Sequence, residues 1–275
     1  MENRKDSQVT VMGRWGSQVS EDRLRELPLP VSQGNRHRPM HFYDQIDTLK
    51  TIIDVRKFKA SEFRYFLNND SEKLLATWVM EPYDDHPSFS DFSERPTGHN
   101  MCGYMVTSIN RTLATKFALG DHMTICENGL SWGEQLSYTR RNTNNALEDV
   151  RNGLWDLLDD AHSVHNKQYQ DWNRWYNTDF GSRKQSNDFL VMAADSEVIK
   201  WQDIPHIREH WLNPEHQEFK PKNLGNMVHA FTSHYRSKNP FNAGAFSTRL
   251  RKYVVNYEGS ESQNREVRSP DASLN

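Results

Sequence analysis

From Leu147 to Trp175 the chain places Leu147, Val150, Leu154, Leu157, Ala161, Val164, Gln168, Trp172 and Trp175 in steps of three and four. Such steps put every one of these side chains on one side of an α-helix, so the spacing predicts one long helix of about eight turns. Asn145, with Glu148 three residues on, has the composition of an amino-terminal capping box. An apolar seam of this length has to be covered. Either it lies across a sheet of the same chain, or it joins a second copy as a coiled coil and makes a homo-oligomer through the long helix. The first arrangement needs nothing beyond this chain and is the expectation.

The residues before the helix supply the sheet. Glu62 to Leu67 and Lys73 to Met80 are aromatic and aliphatic runs joined by Asn68-Asn69-Asp70, which has the residues of a hairpin turn. Met101 to Ser108, Leu113 to Leu119 and His122 to Cys126 read as three further strands, with turns at Ile109-Asn110-Arg111 and Gly120-Asp121. Phe42, Ile46, Leu49, Ile52 and Ile53 follow helical spacing ahead of them, and the acidic, proline-containing stretch 81–99 reads as a surface loop. Beyond Phe180-Gly181, helices are expected over Asn187 to Ala194, His206 to Leu212, Leu224 to His234 and Ser247 to Asn256, with a turn around Ile204-Pro205. Helices and strands segregated in this way predict an α+β fold: an antiparallel meander of about five strands packed on a long helix, followed by a small helical C-terminal region.

Residues 1–26 and 258–275 are polar and read as flexible tails around a single domain at 27–257. No apolar run is long enough for a membrane span, and the first twenty residues lack the apolar centre of a secretory signal, so a cytoplasmic setting is expected, with no membrane partner. Two cysteines, Cys102 and Cys126, do not make a disulfide framework.

Three short runs resemble one family. They are Pro39-Met40-His41, then the segment ending in Cys126-Glu127-Asn128 with Arg141-Asn142-Thr143 after it, and finally Trp211 with Phe219, Pro221, Leu224, Asn226, Ala230, Phe231 and Thr232. Over about Leu27 to Tyr257 they are similar to the phage/plasmid-like proteins filed as domain-of-unknown-function family 932. The resemblance implies a mobile genetic element, with the host cell cytoplasm as the compartment, and implies no agreed activity. This chain has Asn142 where the family commonly has the histidine of an arginine-histidine-threonine triplet, which weakens an enzymatic reading.

Charge gives the sharper functional signal. The net charge is only -3, yet the stretch from Phe219 to Tyr257 has no acidic residue and carries seven Lys or Arg. Cations interleaved with rings suit a nucleic-acid groove, because cations track phosphates and rings stack on bases. The candidate contacts are Arg140, Arg141, Arg236, Lys238, Arg249, Arg251 and Lys252 to phosphates of DNA or RNA, with Tyr235 and Tyr253 as stacking platforms. The bland alternative is that these cations pair with the chain's own acidic segments. His206 with His210 and His216, and His162 with His165 and Asp159, fall short of a zinc ligand set, so no metal is expected. Cys126 alternates along an expected strand as a structural cysteine would, and Gly13-Arg14-Trp15-Gly16 lacks the lysine of a phosphate loop, so no cofactor is expected. The expected function is that of a non-enzymatic accessory protein of a phage or other mobile element, binding nucleic acid or a nucleic-acid-processing complex. Its rival is a protein that captures a host factor, such as a defence component, through Trp172, Trp175 and Tyr176.

Overall fold

The computed structural model describes residues 15–83, 99–123, 132–143, 145–235 and 238–268. Among the described residues six strands form one antiparallel sheet in which every strand pairs with its neighbour in sequence. They are β1 (Gly16–Val19), β2 (Phe58–Asn68), β3 (Lys73–Pro82), β4 (His99–Ser108), β5 (Thr115–Met123) and β6 (Trp132–Arg140). The helices among the described residues are α1 (Glu21–Arg25), α2 (Phe42–Val55), α3 (Ala146–Asp159), α4 (Ala161–Asn177), α5 (Arg183–Asp195), α6 (Ile204–Leu212), α7 (Leu224–Tyr235) and α8 (Ala243–Arg268). None of them is long and apolar enough to cross a membrane.

Alternation along the strands sends two residue sets to opposite faces. Leu74, Ala76, Trp78 and Met80 of β3, Met105 of β4 and Phe117 and Leu119 of β5 face α2 and α3, where Phe42, Ile46, Leu49, Val150 and Leu154 close over them. Each fully buried side chain of this size contributes about 1.5–3 kcal/mol. Close packing requires a glycine at one cross-strand pair: the indole of Trp78 covers Gly103, where a Cβ would lie 2.2 Å from the ring. Leu75, Tyr104 and Ala118 point the other way and pack with Phe66 and Phe241. A second core joins the helices, with Trp172 and Trp175 of α4, Phe189 of α5, Ile207 and Trp211 of α6, Phe231 of α7 and Leu250 of α8.

The α+β architecture agrees with the sequence reading, and its details differ for physical reasons. The chain is ordered well before Leu27: β1 pairs with β2, and the fully buried Leu24 anchors α1 in the sheet's core. At the other end α8 runs on to Arg268, and Glu258, assigned above to a tail, accepts hydrogen bonds from Arg174 and Trp175. Gly120-Asp121 makes no turn, because β5 continues through it with a register shift that absorbs the irregularity. Two strands were missed, β1 and β6. The long helix is two, α3 and α4, which meet at Asp160. Its seam, apart from the exposed Leu147, is buried inside this chain. Asn145 does not cap with its side chain; it takes a left-handed φ of 61°, a conformation asparagine tolerates. Ile204-Pro205 opens α6, because proline suits the first turn of a helix. Cys126-Glu127-Asn128 and most of the 81–99 stretch lie outside the described residues.

Candidate nucleic-acid interface

In a meander, alternate connections fall at the same end of the sheet. The β2–β3 turn, the β4–β5 turn and the exit from β6 share one end. Asn68 shapes the first turn, its Oδ1 accepting from the backbone N–H groups of Glu72 and Lys73 at 2.8 and 2.7 Å. The second turn carries Arg111 with a left-handed φ of 67°. The third leads through Arg140 and Arg141 into α3.

A buried polar network draws these segments together with the loop before α2. Asn142 donates through Nδ2 to the Ser108 carbonyl at 2.9 Å, and its Oδ1 accepts from the Thr115 hydroxyl at 2.8 Å. The Asn142 carbonyl accepts from the backbone N–H of Arg38 at 2.9 Å. Arg111 Nη1 donates to the Gln33 carbonyl at 3.1 Å, and Arg38 Nη1 to the Ser32 hydroxyl at 3.0 Å. Four exposed arginines, Arg36, Arg38, Arg111 and Arg141, are thereby brought to one end of the sheet. Among the described residues none of them has a carboxylate within ion-pair distance, and the acids nearby are engaged elsewhere. Glu72 accepts from Asn110 Nδ2, and Asp149 pairs with Arg140 at 2.7 Å. The guanidiniums of Arg38 and Arg111, held by loop carbonyls and unpaired with acids among the described residues, are suited to recognition of phosphate.

The acid-free stretch 219–257 fares differently. Arg251 is ion-paired with the buried Asp171, and Lys238 lies 3.1 Å from Oδ1 of the buried Asp203. Tyr253 is buried, its hydroxyl donating to the Phe189 carbonyl at 2.7 Å, and burial pushes that hydroxyl well above the ordinary tyrosine range. It therefore offers no platform to a base. Tyr235 stacks face to face on Phe246 and is half-buried, with its pKa pushed up to about 12 mainly by burial. Arg249 and Lys252 remain exposed on α8. Arg140 keeps its ion pair with Asp149, and its Nε is buried without a partner among the described residues. Arg236 lies outside the described residues. The sequence reading thus placed Arg141, Arg249 and Lys252 on the surface, while Arg251, Lys238 and Tyr253 serve the fold. It missed Arg36, Arg38 and Arg111. The closely spaced Arg36-His37-Arg38 was the available signal.

The most buried ionisable groups do structural work. The Tyr176 hydroxyl sits 2.7 Å from Nε2 of both His99 and His229, donating to one ring and accepting from the other, and so ties β4 to α4 and α7. The His229 ring is stacked between Trp172 and Phe219, and its burial, with His99 beside it, holds it well below the ordinary histidine range. Asp203 accepts from His234 Nε2 at 3.0 Å and from the backbone of Lys200. Its hydrogen bonds to Lys238, His234 and Lys200 outweigh burial and lower its pKa. Among the described residues no group of three or more His, Cys, Asp or Glu could hold a metal ion.

No family model matches this chain, nor does any curated protein or solved structure.

Proposed function

We propose that the chain binds nucleic acid through the arginine-bearing end of its sheet, as a non-enzymatic accessory protein of a phage or other mobile element. The observation that carries the binding is the set Arg36, Arg38, Arg111 and Arg141, exposed and without carboxylate partners among the described residues. The mobile-element setting rests on the sequence resemblance alone. Arg249 and Lys252, exposed on α8, add a smaller basic surface. The competing reading, capture of a host protein through the tryptophans of α4, loses support because Trp172 and Trp175 are 2% and 0% exposed.

Fluorescence anisotropy with labelled single-stranded DNA, duplex DNA and RNA tests the proposal. Affinity is expected to fall steeply as salt rises, since each phosphate contact releases condensed counterions. An Arg38→Glu, Arg111→Glu variant is expected to lose binding. Absence of binding to all three nucleic acids at low salt would refute it.

A further inference from the structure

Beside Arg38 and Arg111, His37 has a donor without an acceptor among the described residues. The ring is 7% exposed, and its Nδ1 accepts from the backbone N–H of Gln33 at 3.1 Å. That bond fixes the tautomer: in the neutral ring the proton is on Nε2. Nε2 is closed off from solvent and has no hydrogen-bond partner among the described residues. Leaving a buried N–H unmatched costs free energy comparable to a lost hydrogen bond, so such a group calls for an explanation.

The surroundings say what would match it. Arg38 Nη1 donates to the His37 carbonyl at 3.1 Å and Arg111 Nη1 to the Gln33 carbonyl, so both guanidiniums are fastened to the loop that holds the ring. Burial, then the charges of Arg111 and Arg38, hold His37 below its ordinary range and keep it neutral near pH 7. The loop's carbonyls are taken by the guanidiniums, and among the described residues nothing offers Nε2 an acceptor or the two arginines a negative charge. A water molecule could accept from Nε2 but would leave the guanidiniums unneutralised, whereas an oxyanion answers both needs.

We propose that His37, Arg38 and Arg111 form a seat for one phosphate group, with Nε2–H of His37 donating to a phosphate oxygen and the two guanidiniums neutralising its charge. The seat deepens the nucleic-acid reading and rests on it for the polymer to which the phosphate belongs. Because Nε2 is covered, seating the phosphate requires a local movement of the loop, whose residues Ser32 to Arg36 are exposed.

The test uses the full chain labelled with ¹⁵N-histidine and titrated with inorganic phosphate at constant ionic strength, then with an oligonucleotide. The His37 resonance is assigned from its absence in His37→Gln. Phosphate is expected to shift the Nε2–H signal saturably and to slow its exchange with water, where chloride does neither, and the oligonucleotide is expected to give the same shift. Phosphate should compete with the oligonucleotide, and His37→Phe should weaken oligonucleotide binding about tenfold without changing the salt dependence, since no charge is removed. If neither titrant moves the signal and His37→Phe binds like the parent, the seat is refuted, while loss of binding in Arg111→Glu would still uphold the nucleic-acid reading. If phosphate saturates the signal but no oligonucleotide binds, the seat stands with a free phosphate or small phosphate ester as its ligand, and the nucleic-acid reading falls.

Discussion

Two basic regions of this molecule have opposite fates. In 219–257 the cations are close in sequence, yet Arg251 and Lys238 are drawn to Asp171 and Asp203, which are buried and lie 80 and 35 residues away. At the end of the sheet the cations are scattered from Arg36 to Arg141, yet they meet on the surface without acidic partners among the described residues. Density of charge along a sequence thus measures what a segment could do before its partners are known. What counts for a polyanion is the charge left after the fold has taken its share.

The sharpest break of this comparison is charge reversal at each region. Reversing Arg38, Arg111 and Arg141 together to Glu is expected to weaken oligonucleotide binding by about 100-fold or more and to lower the slope of log affinity against log salt by about 3. Reversing Arg249 and Lys252 should cost about tenfold or less. Equal losses in anisotropy titrations would erase the distinction between the regions.

A second variant probes what holds the arginines together. Asn142→Ala removes the donor to the Ser108 carbonyl and the acceptor for Thr115, both in a buried setting. The expected loss is about 2–3 kcal/mol of stability, read as a lower midpoint in urea denaturation, with weakened binding in the protein that stays folded. Unchanged stability would mean that the network does not organise this end of the sheet.

The helical region should answer to acid. His229 and His234 have their pKa values lowered in the folded state, mainly by burial, so on acidification the unfolded chain takes up protons that the native rings refuse. Stability should therefore be level above about pH 7 and decline as pH falls through the ordinary histidine value near 6.5. For each ring kept neutral the decline is about 1.4 kcal/mol per pH unit until the native pKa is reached. Asp203 and Glu21, both lowered, add a further loss of the same sign below about pH 4.5. Urea midpoints that do not change between pH 7 and 5 would contradict this account.

Much of the fold was legible because it rests on local rules. The Asn68 turn, the alternation in β3 and β4 and the seam of α3 and α4 each follow from residues within a few positions of one another. β1 escaped notice because four residues, Gly16 to Val19, carry too little pattern, and their place is set by β2 some fifty residues on. The candidate site was the least legible part. Arg36, Arg38, Arg111 and Arg141 become neighbours only through backbone bonds such as Arg38 to Asn142, which no spacing rule anticipates. Tyr253 misled for the same reason, since its carbonyl partner on Phe189 lies 64 positions away.

The up-and-down course of the sheet also separates two kinds of connection. The short turns sit with the arginines, whereas β3 ends at Pro82 and β4 begins at His99 at the opposite end, as do the close of β5 at Met123 and the start of β6 at Trp132. Strands of about ten residues hold the two ends roughly 30 Å apart. That spacing divides the molecule into an end to be left alone and an end open to engineering. A change at the far end such as Tyr83→Phe, which removes the hydrogen bond to Asp54, should leave what the arginines hold untouched.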